Sequence, residues 1–305
     1  MKSFAHHILV ISILICAATV AFAKLSLMVG QQPEWQLTLI KTIDGFDVPE
    51  CTLFDSAANA VYVSNIETKD AGYWVYDNKG FISQLDPNGG IINLRWQEGD
   101  KEKLSAPKGM CVLNEKLYVA DISKLWIFAK DRPAQVVNIP EANSLNDLAQ
   151  DGKTIYISDV MAAKIYRMID PQDPNKGFAV SKAPASINGL TFFKGKMFGA
   201  SWKLHELYEL DPEGKNEPKP FGLAENFTTL DGIEVLDDGT FIVSDFNGNK
   251  ISAVSPDRRV TWPSRASASS RSAPSARPAS RKSSMALAWW RPRASSTCTA
   301  TATSS

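Results

Sequence analysis

The feature that most constrains the fold is a short strand motif that occurs five times between residues 61 and 245. Each copy is a run of aromatic or β-branched residues that reaches a small residue and, in four copies, then Asn or Asp. The copies lie at 61–65, 117–121, 155–159, 197–201 and 241–245. Their small residues are 56, 38, 42 and 44 positions apart, about the length of one four-stranded propeller blade. The repeat predicts an all-β propeller, in which function is sought on the axis.

The length and composition predict one folded body. The 305 residues are 44% hydrophobic, enough for a sizeable core. Clusters of Pro, Gly, Asn and Asp separate the strands, and no helical period is sustained. Five recognisable blades, with a sixth due after residue 257, predict a six-bladed β-propeller over residues 24–257. An early strand at 35–43 stands outside the repeats and is expected to complete the last blade, as terminal strands often do in closed propellers.

The N-terminus has the pattern of a secretory signal peptide over residues 1–23. Lys2 precedes an apolar run at 8–20, which is followed by the small-x-small sequence Ala-Phe-Ala. The run is too short to span a membrane comfortably. Cys16 raises the alternative of a lipid anchor, but the residue before it is larger than such sites require. We therefore predict a periplasmic or secreted protein that begins near Lys24 and has no membrane contact after cleavage.

The C-terminal segment, residues 258–305, differs sharply from the rest. It contains eight arginines and one lysine, whereas all 33 acidic residues of the chain precede it. One interpretation is a basic arm for nucleic acid or an anionic surface. Arg, Ala, Ser and Pro are also what GC-rich DNA encodes out of frame, and the segment begins abruptly. Our hypothesis is a frameshift near residue 260, leaving a disordered or aberrant tail and no nucleic-acid partner. If no other frame of the encoding DNA yields a strand–turn–strand pattern, the hypothesis is wrong.

Aligning the repeats reveals one residue in the same phase at the start of each blade, about ten to fourteen positions before the small residue. These residues are Glu50, Lys108, Asn146, Asn188 and Asp231. Radial repeats place equivalent positions on a ring, so these side chains are expected to converge near the axis. Four of them are hard oxygen donors of the type that Ca²⁺ or Mg²⁺ selects, whereas Lys108 cannot be a ligand. Each has an ordinary structural explanation alone, but the shared phase favours one axial cation site.

Several of these segments carry a family resemblance. Pro-Glu-Cys-Thr-Leu-Phe-Asp and Val-Tyr-Val-Ser-Asn-Ile, followed by Leu-Asn-Asp, Ile-Asn-Gly-Leu and Leu-Asp-Gly-Ile, resemble the senescence-marker-protein, gluconolactonase and luciferin-regenerating-enzyme family of six-bladed propellers. The resemblance covers roughly residues 35–257. It implies one axial divalent cation, with Ca²⁺ favoured and Mg²⁺, Mn²⁺ or Zn²⁺ as alternatives. It also implies that Glu50, Asn146, Asn188 and Asp231 face the cation, with Asp231 as the general base.

The leading functional hypothesis is metal-dependent hydrolysis of a small lactone by a monomer. A divalent cation polarises the lactone carbonyl, while Asp231 takes a proton from the attacking water. No other catalytic apparatus is evident, because His205 is the only histidine outside the N-terminal segment and no nucleophile elbow is present. The rival hypothesis is a non-catalytic propeller that binds a protein or carbohydrate. Ser144 favours the rival, because sugar-lactone hydrolases of the family tend to have a substrate-contacting Arg at this position.

Two further groups of residues lie near the expected axis. Cys51 and Cys111 begin innermost strands, where a disulfide and two buried free thiols are both open, and we favour the thiols. Trp74 and Trp202 lie near loops that would roof a pocket. A third group, with one shared phase, is expected to pack between blades rather than stack on a ligand: Tyr62, Tyr118 and Tyr156.

Overall fold

The computed structural model of the chain describes residues 41–67 and 72–261, together with the backbone of a strand at 283–287. All of them belong to one compact unit, which begins at residue 37. The predicted signal peptide, Cys16, the first part of the strand expected at 35–43 and most of the tail lie outside these residues. In the described part, no helix has the length and apolar character that crossing a membrane requires.

The described chain consists of β-strands and two single-turn 3-10 helices, η1 (Pro174–Lys176) and η2 (Ala224–Asn226). An isolated strand comes first, β1 (Lys41–Phe46). Blade 1 comprises β2 (Pro49–Asp55), β3 (Ala60–Asn65), β4 (Phe81–Leu85) and β5 (Ile91–Gln97). Blade 2 comprises β6 (Pro107–Leu113), β7 (Lys116–Asp121), β8 (Lys124–Ala129) and β9 (Gln135–Asn138). Blade 3 comprises β10 (Leu145–Gln150), β11 (Ile155–Asp159), β12 (Lys164–Met168) and β13 (Phe178–Lys182).

The last two blades follow the same order. Blade 4 comprises β14 (Ile187–Phe193), β15 (Lys196–Ser201), β16 (Glu206–Leu210) and the short β17 (Lys219–Pro220). Blade 5 comprises β18 (Leu230–Val235), β19 (Phe241–Asp245), β20 (Lys250–Val254) and β21 (Val260–Thr261). All strand pairs within the blades are antiparallel. The innermost strands pack in the sequence β2, β6, β10, β14 and β18. The predicted all-β propeller is confirmed, with five blades at the predicted repeats.

The predicted tyrosine packing is confirmed, because hydrophobic side chains fill the spaces between successive blades. Tyr62 packs against blade 2, Tyr118 against blade 3, and Tyr156 against blade 4. Second strands such as β3 and β11 are buried along their whole length, since each is covered by blades on both faces. Burying one such side chain contributes about 1.5–3 kcal/mol to folding. The hydrophobic core of the described blades therefore consists of separate clusters, each between two successive blades.

The first strand covers the face of blade 1 that does not meet blade 2. Ile43 and Phe46 are buried against Val61, Val63 and Leu85. The strand ends three residues beyond the end predicted from the sequence. It pairs antiparallel with β22 (Ser283–Leu287), which belongs to the C-terminal segment. The described residues thus add one two-stranded sheet to the five blades.

The change in composition near residue 258 falls inside blade 5 and not at the start of a sixth blade. Residues 252–254 belong to β20, the third strand of blade 5, and the fourth strand, β21, consists of Val260 and Thr261 alone. The sequence analysis expected a sixth blade to begin after residue 257, and that was wrong, because the next strand, β21, is the fourth strand of blade 5. The fourth strand of blade 4, β17, is equally short, and β21 lies at the end of the continuously described residues.

Candidate axial site

Every innermost strand has the same irregularity at the same place. The pairing with the second strand skips two residues after the first residue of each innermost strand. Such bulges bend a strand and re-aim its side chains. The first skipped residues are the five in-phase residues of the sequence analysis, Glu50, Lys108, Asn146, Asn188 and Asp231. The bulges explain why one residue per blade points to the axis.

The small residue of the repeated motif holds the bulge in blades 1, 3 and 5. Ser64 Oγ accepts a hydrogen bond from Cys51 N at 3.0 Å and donates to Lys108 O of the next blade at 2.7 Å. Ser158 Oγ accepts from Asp147 N at 2.9 Å and donates to Asn188 O at 2.6 Å. A freed backbone group is costly when buried, so these hydroxyls stabilise the bulges. They also tie blade 1 to blade 2 and blade 3 to blade 4.

Blades 2 and 4 have alanine at the corresponding position, and side chains of the preceding blade accept hydrogen bonds from their innermost strands instead. Asp147 Oδ2 accepts a hydrogen bond from Leu190 N of blade 4 at 2.8 Å. The Cys51 thiol accepts from the Met110 amide of blade 2. These blades also carry glycine as the second bulge residue. A Cβ on Gly189 would lie 2.6 Å from Asp231 O, so the close approach of blade 5 requires glycine there.

The Asp residues that end the motif copies have a structural role. Asp121 accepts hydrogen bonds from Ser105 N and Ala106 N, and Asp245 accepts from the Thr228 and Thr229 amides. Asp159 likewise accepts from Asn143 N. Each carboxylate holds the loop that leads into its own blade. The strongest signal in the sequence therefore reports loop anchoring rather than chemistry.

A pocket of about 320 Å³ opens at the axial ends of the innermost strands. All four oxygen-donor residues of the sequence analysis line it, together with Lys108: Glu50, Asn146, Asn188 and Asp231. The same four residues also line a smaller cavity of about 60 Å³. The structure therefore brings the predicted side chains, from four different blades, around one space.

Lys108 was assigned no role in the sequence analysis, and the structure places it in the pocket wall. Its side chain is 3% exposed, and Nζ lies 3.3 Å from Glu50 Oε2. The ammonium also lies 4.5 Å from the ring centre of Trp74 and 5.2 Å from that of Tyr73, within cation–π range. Burial lowers the pKa of Lys108, and the charge of Glu50 opposes that shift. An ammonium thus stands among the oxygen donors.

Asp231 is half-buried and has a single hydrogen-bond partner among the described side chains. Asn188 Nδ2 donates a hydrogen bond to Asp231 Oδ1 at 2.7 Å. Burial, together with the negative charge of Glu50, raises the pKa of Asp231 to about 7, although Lys108 pulls it down. A carboxyl with this pKa exchanges protons near neutral pH, as a general base must.

The smaller cavity is lined by two more carboxyl groups that the sequence analysis did not single out. Burial raises the pKa of Asp147 to about 7, and burial and the charge of Asp147 raise that of Glu234 to about 8. Burial likewise raises the pKa of the Cys51 thiol. Asp147 directly follows Asn146 and is the second bulge residue of blade 3. Examining the residue after each in-phase position would therefore have identified it from the sequence.

The residues around the two cavities fit a hard cation in charge and chemistry. Four carboxyl groups line them, and Lys108 is the one cationic side chain that does so among the described residues. Carboxylate and amide oxygens are what Ca²⁺ and Mg²⁺ prefer. In the described residues, no group of three or more His, Cys, Asp or Glu is arranged to hold a metal. A cation here would therefore need the Asn146 and Asn188 amide oxygens, the latter after rotation of the amide.

The roof of the pocket is aromatic. Trp74 and Trp202, both expected near a pocket from the sequence, line it together with Tyr73 and Phe246. Trp202 packs on Phe246 with ring centres 5.2 Å apart. Phe246 was missed because it belongs to a turn cluster that looked purely structural.

Four residues discussed from the sequence do not line the pocket. Ser144 is buried, with Oγ 2.5 Å from Asp159 Oδ1, so it anchors a loop. His205 is also absent from the pocket wall. Of the two cysteines, Cys51 lines only the smaller cavity and Cys111 is buried, and the expectation that both are free thiols is confirmed.

Comparison with known proteins supports the fold. No protein-family model matches the chain, and no curated protein is similar to it in sequence. Virginiamycin B lyase from Staphylococcus aureus is similar in structure, with a TM-score of 0.54 and 12% identity over 72% of each chain. A candidate gluconolactonase has a TM-score of 0.53 and 16% identity over 75% of this chain and 83% of its own.

A third similar structure is that of a nidogen–laminin complex, with a TM-score of 0.54 and 15% identity. It matches 68% of this chain and 76% of that one. Propellers with lyase, gluconolactonase and complex-forming descriptions thus share this architecture. At such identities the likeness establishes the β-propeller fold, and function rests on the site.

Proposed function

We propose that the axial pocket hydrolyses a small lactone, with Asp231 as the general base. The observation that carries the proposal is the convergence of four oxygen-donor side chains, from four blades, on one pocket that contains a carboxyl with a pKa of about 7. Without a cation, Asn188 donates to one oxygen of Asp231. With the Asn188 amide rotated so that its oxygen faces a cation, that Asp231 oxygen would face the ion as well, and the other would be left to accept the proton of an attacking water. The proposal assigns a role to two of the three charged residues in the pocket wall: Asp231 transfers a proton, and Glu50 binds the cation described next.

The proposal includes one divalent cation, Ca²⁺ by preference, held by Glu50, Asn146, Asn188 and Asp231. When bound, it would polarise the lactone carbonyl and stabilise the negative charge that develops on its oxygen. The carboxyl groups around the axis support this choice, because desolvation raises the pKa values of Asp147 and Asp231 and the charge of Lys108 offsets this only in part at Asp231. Mg²⁺, Mn²⁺ and Zn²⁺ are the alternatives to test.

The pocket also bounds the substrate. A volume of about 320 Å³ lies at the low end for small-molecule sites, so a compact ligand fits best. Val160, Trp202 and Phe246 present an apolar surface, and Ser144 is occupied elsewhere. A lactone with an apolar ring suits these walls better than a polyhydroxylated sugar lactone.

Two comparisons suggest other functions. One similar structure is a catalytically inactive His-to-Ala variant of virginiamycin B lyase, but His205 of this chain does not line the pocket. Lyase chemistry through a histidine therefore has no support in the described site. The nidogen–laminin complex keeps open the second candidate, a propeller that binds a protein through its loops.

A lactone panel tests the proposal. Purified protein is assayed with Ca²⁺, Mg²⁺, Mn²⁺ or Zn²⁺ and after chelation, as wild type, Asp231→Ala and the exposed control Asp237→Ala. We expect chelator-sensitive turnover that Asp231→Ala lowers by about 10²- to 10⁴-fold, the usual contribution of a general base. The Asp237→Ala variant should match the wild type, since its side chain is exposed and remote from the pocket. No chelator-sensitive turnover on any lactone would favour the binding propeller.

We also propose that the protein works as an exported monomer on a small molecule. The support is the signal-peptide pattern of the first 23 residues. Mass spectrometry of the mature protein should give an N-terminus near Lys24, and light scattering should give the mass of one chain. An intact N-terminus on protein from the cell envelope would contradict the proposal.

A further inference from the structure

The side chain that the proposed mechanism leaves unused is Lys108. It occupies the same bulge position as the four oxygen donors, and it is the one cationic group in the pocket wall among the described residues. Burying an ammonium is costly unless charges and hydrogen bonds compensate. A buried lysine that only filled space would be replaced at lower cost by an apolar residue. Its presence in the pocket wall calls for a role.

Lys108 lines the pocket and has fewer hydrogen-bond acceptors among the described residues than its ammonium has donors. An ammonium has three N–H donors. Among the described residues, Glu50 is the one acceptor within ion-pair distance, at 3.3 Å. Trp74 and Tyr73 contact the charge through their ring faces, which accept no conventional hydrogen bond. The ammonium therefore has capacity to bind an acceptor that enters the pocket.

The charges of the pocket favour an anionic acceptor. Its wall contains two carboxyl groups, Glu50 and Asp231, and one ammonium, Lys108. A divalent cation held by the two carboxylates would neutralise them and leave the positive charge of Lys108 in excess. Because the Lys108 side chain is buried, this excess attracts a negative group more strongly than an exposed lysine would. The aromatic rings beside Lys108 provide the surface on which a flat ring would stack.

We propose that Lys108 makes the pocket selective for substrates that carry a carboxylate beside an apolar ring, because its ammonium binds that carboxylate. The inference rests on the proposed function for the lactone itself, but the carboxylate preference can be measured as binding without turnover. Lys108 is then the specificity-determining residue of the site. It takes over, from another blade, the substrate contact that Ser144 does not provide.

The test compares a carboxyphthalide with its carboxamide, which has the same ring system and no charge. Dissociation constants are measured by calorimetry, and KM and kcat where turnover occurs, in calcium-containing buffer and after chelation. The variants are Lys108→Gln, Lys108→Arg and the exposed control Lys153→Gln. We expect the wild type to prefer the carboxylate. Lys108→Gln should weaken its binding about tenfold to a hundredfold, the range for a lost hydrogen bond to a charged group.

Several outcomes separate this selectivity from a structural role. The carboxamide should change by less than about threefold in Lys108→Gln, whereas Lys108→Arg should keep most of the preference and Lys153→Gln all of it. Equal weakening of both ligands would overturn the proposal. An absence of preference in the wild type would do the same, without depending on any variant. Selective binding without hydrolysis would sink only the lactonase proposal, and hydrolysis with no Lys108-dependent preference would sink only this one.

Discussion

At the scale of single residues, the repeated motif separates structural from functional positions. Its serines stabilise the bulges and its aspartates anchor loops, as Ser158 and Asp159 do in blade 3. The side chains at the axis give a weaker sequence signal, and they are found only when equivalent positions of the repeats are aligned. The residues that recur most clearly from blade to blade stabilise the blade. The site is formed at an equivalent position where the residue type differs between blades.

The bulge serine of blade 3 provides a direct test of this division. Ser158→Ala would leave the Asp147 amide and the Asn188 carbonyl without their shared hydroxyl, beside two residues of the site. We expect a loss of about 1–3 kcal/mol in the free energy of unfolding, the cost of unsatisfied buried groups. Urea unfolding would measure it.

The matched control is Ser181→Ala on the outer strand of blade 3, where the hydroxyl donates to Ile165 O at a long 3.5 Å. That change should cost less than about 0.5 kcal/mol. If both variants unfold at the same urea concentration, Ser158 does not hold the bulge.

Sequence phase identified four of the side chains that line the pocket, because one position per blade is a property of the chain alone. It assigned nothing to Lys108, since only the fold shows that the ammonium of this lysine lies over the ring of Trp74 and beside Glu50. Phe246 and Glu234 were missed for a similar reason, because a turn and a strand interior look alike whether or not they face a cavity.

At the scale of elements, the innermost strand and its neighbours set how closely blades approach. In blade 4, Gly189 lies against the backbone of β18 in blade 5, with room for hydrogen only. Alone, an Asn-Gly pair is a typical turn former. The structure places Asn188–Gly189 within an innermost strand, where glycine permits contact between strands of adjacent blades.

A methyl group at Gly189 should therefore destabilise the protein. In Gly189→Ala the new Cβ would lie 2.6 Å from Asp231 O and 2.8 Å from Ile233 N, both backbone atoms that cannot rotate away. Overpacking of this kind costs about 1–3 kcal/mol, and it would shift the backbone of Asp231. Thermal unfolding would report the loss of stability, and calcium calorimetry any change at the site.

Gly72→Ala is the control, because a Cβ there has no atom within 4 Å. Its melting temperature should equal that of the wild type within about 1 °C. A Gly189→Ala variant as stable as this control would mean that blades 4 and 5 can separate at the axis without cost.

At the scale of the whole molecule, the ring gathers carboxyl groups on its axis, and this makes stability depend on pH. The pKa values of Asp147 and Asp231 are raised to about 7 and that of Glu234 to about 8. Between about pH 4 and pH 8 the folded protein therefore holds protons that the unfolded chain has released. Without a cation, stability should fall as the pH rises through this window.

We expect the melting temperature in chelator to drop by about 5 °C or more from pH 5 to pH 8, since about 1 kcal/mol shifts it by about 2–4 °C. Added Ca²⁺ should stabilise more at pH 8 than at pH 5, because the ion replaces the lost protons. Glu234→Gln should flatten the profile in chelator, whereas the exposed control Glu217→Gln should not. A melting temperature that rises toward pH 8 in chelator would contradict this account.

The five blades were predictable as a whole because their period and alternation are local properties of the sequence. The pairing of β1 with β22 was not, because it joins segments more than two hundred residues apart and β22 lies in the arginine-rich C-terminal segment. The early strand was expected to find its partner at the end of the chain. Which residues would provide that partner could not be read from a segment without the blade pattern.

The alternation of serine and alanine along the second strands has a consequence for how a single substitution affects the molecule. Blades 1, 3 and 5 carry the serine, and blades 2 and 4 carry alanine and receive a hydrogen bond from a side chain of the blade before them. Ser64 and Ser158 each bind a backbone amide of their own blade and a backbone carbonyl of the next one. Loss of either hydroxyl is therefore expected to weaken two adjacent blades at once, so these two serines couple the unfolding of neighbours.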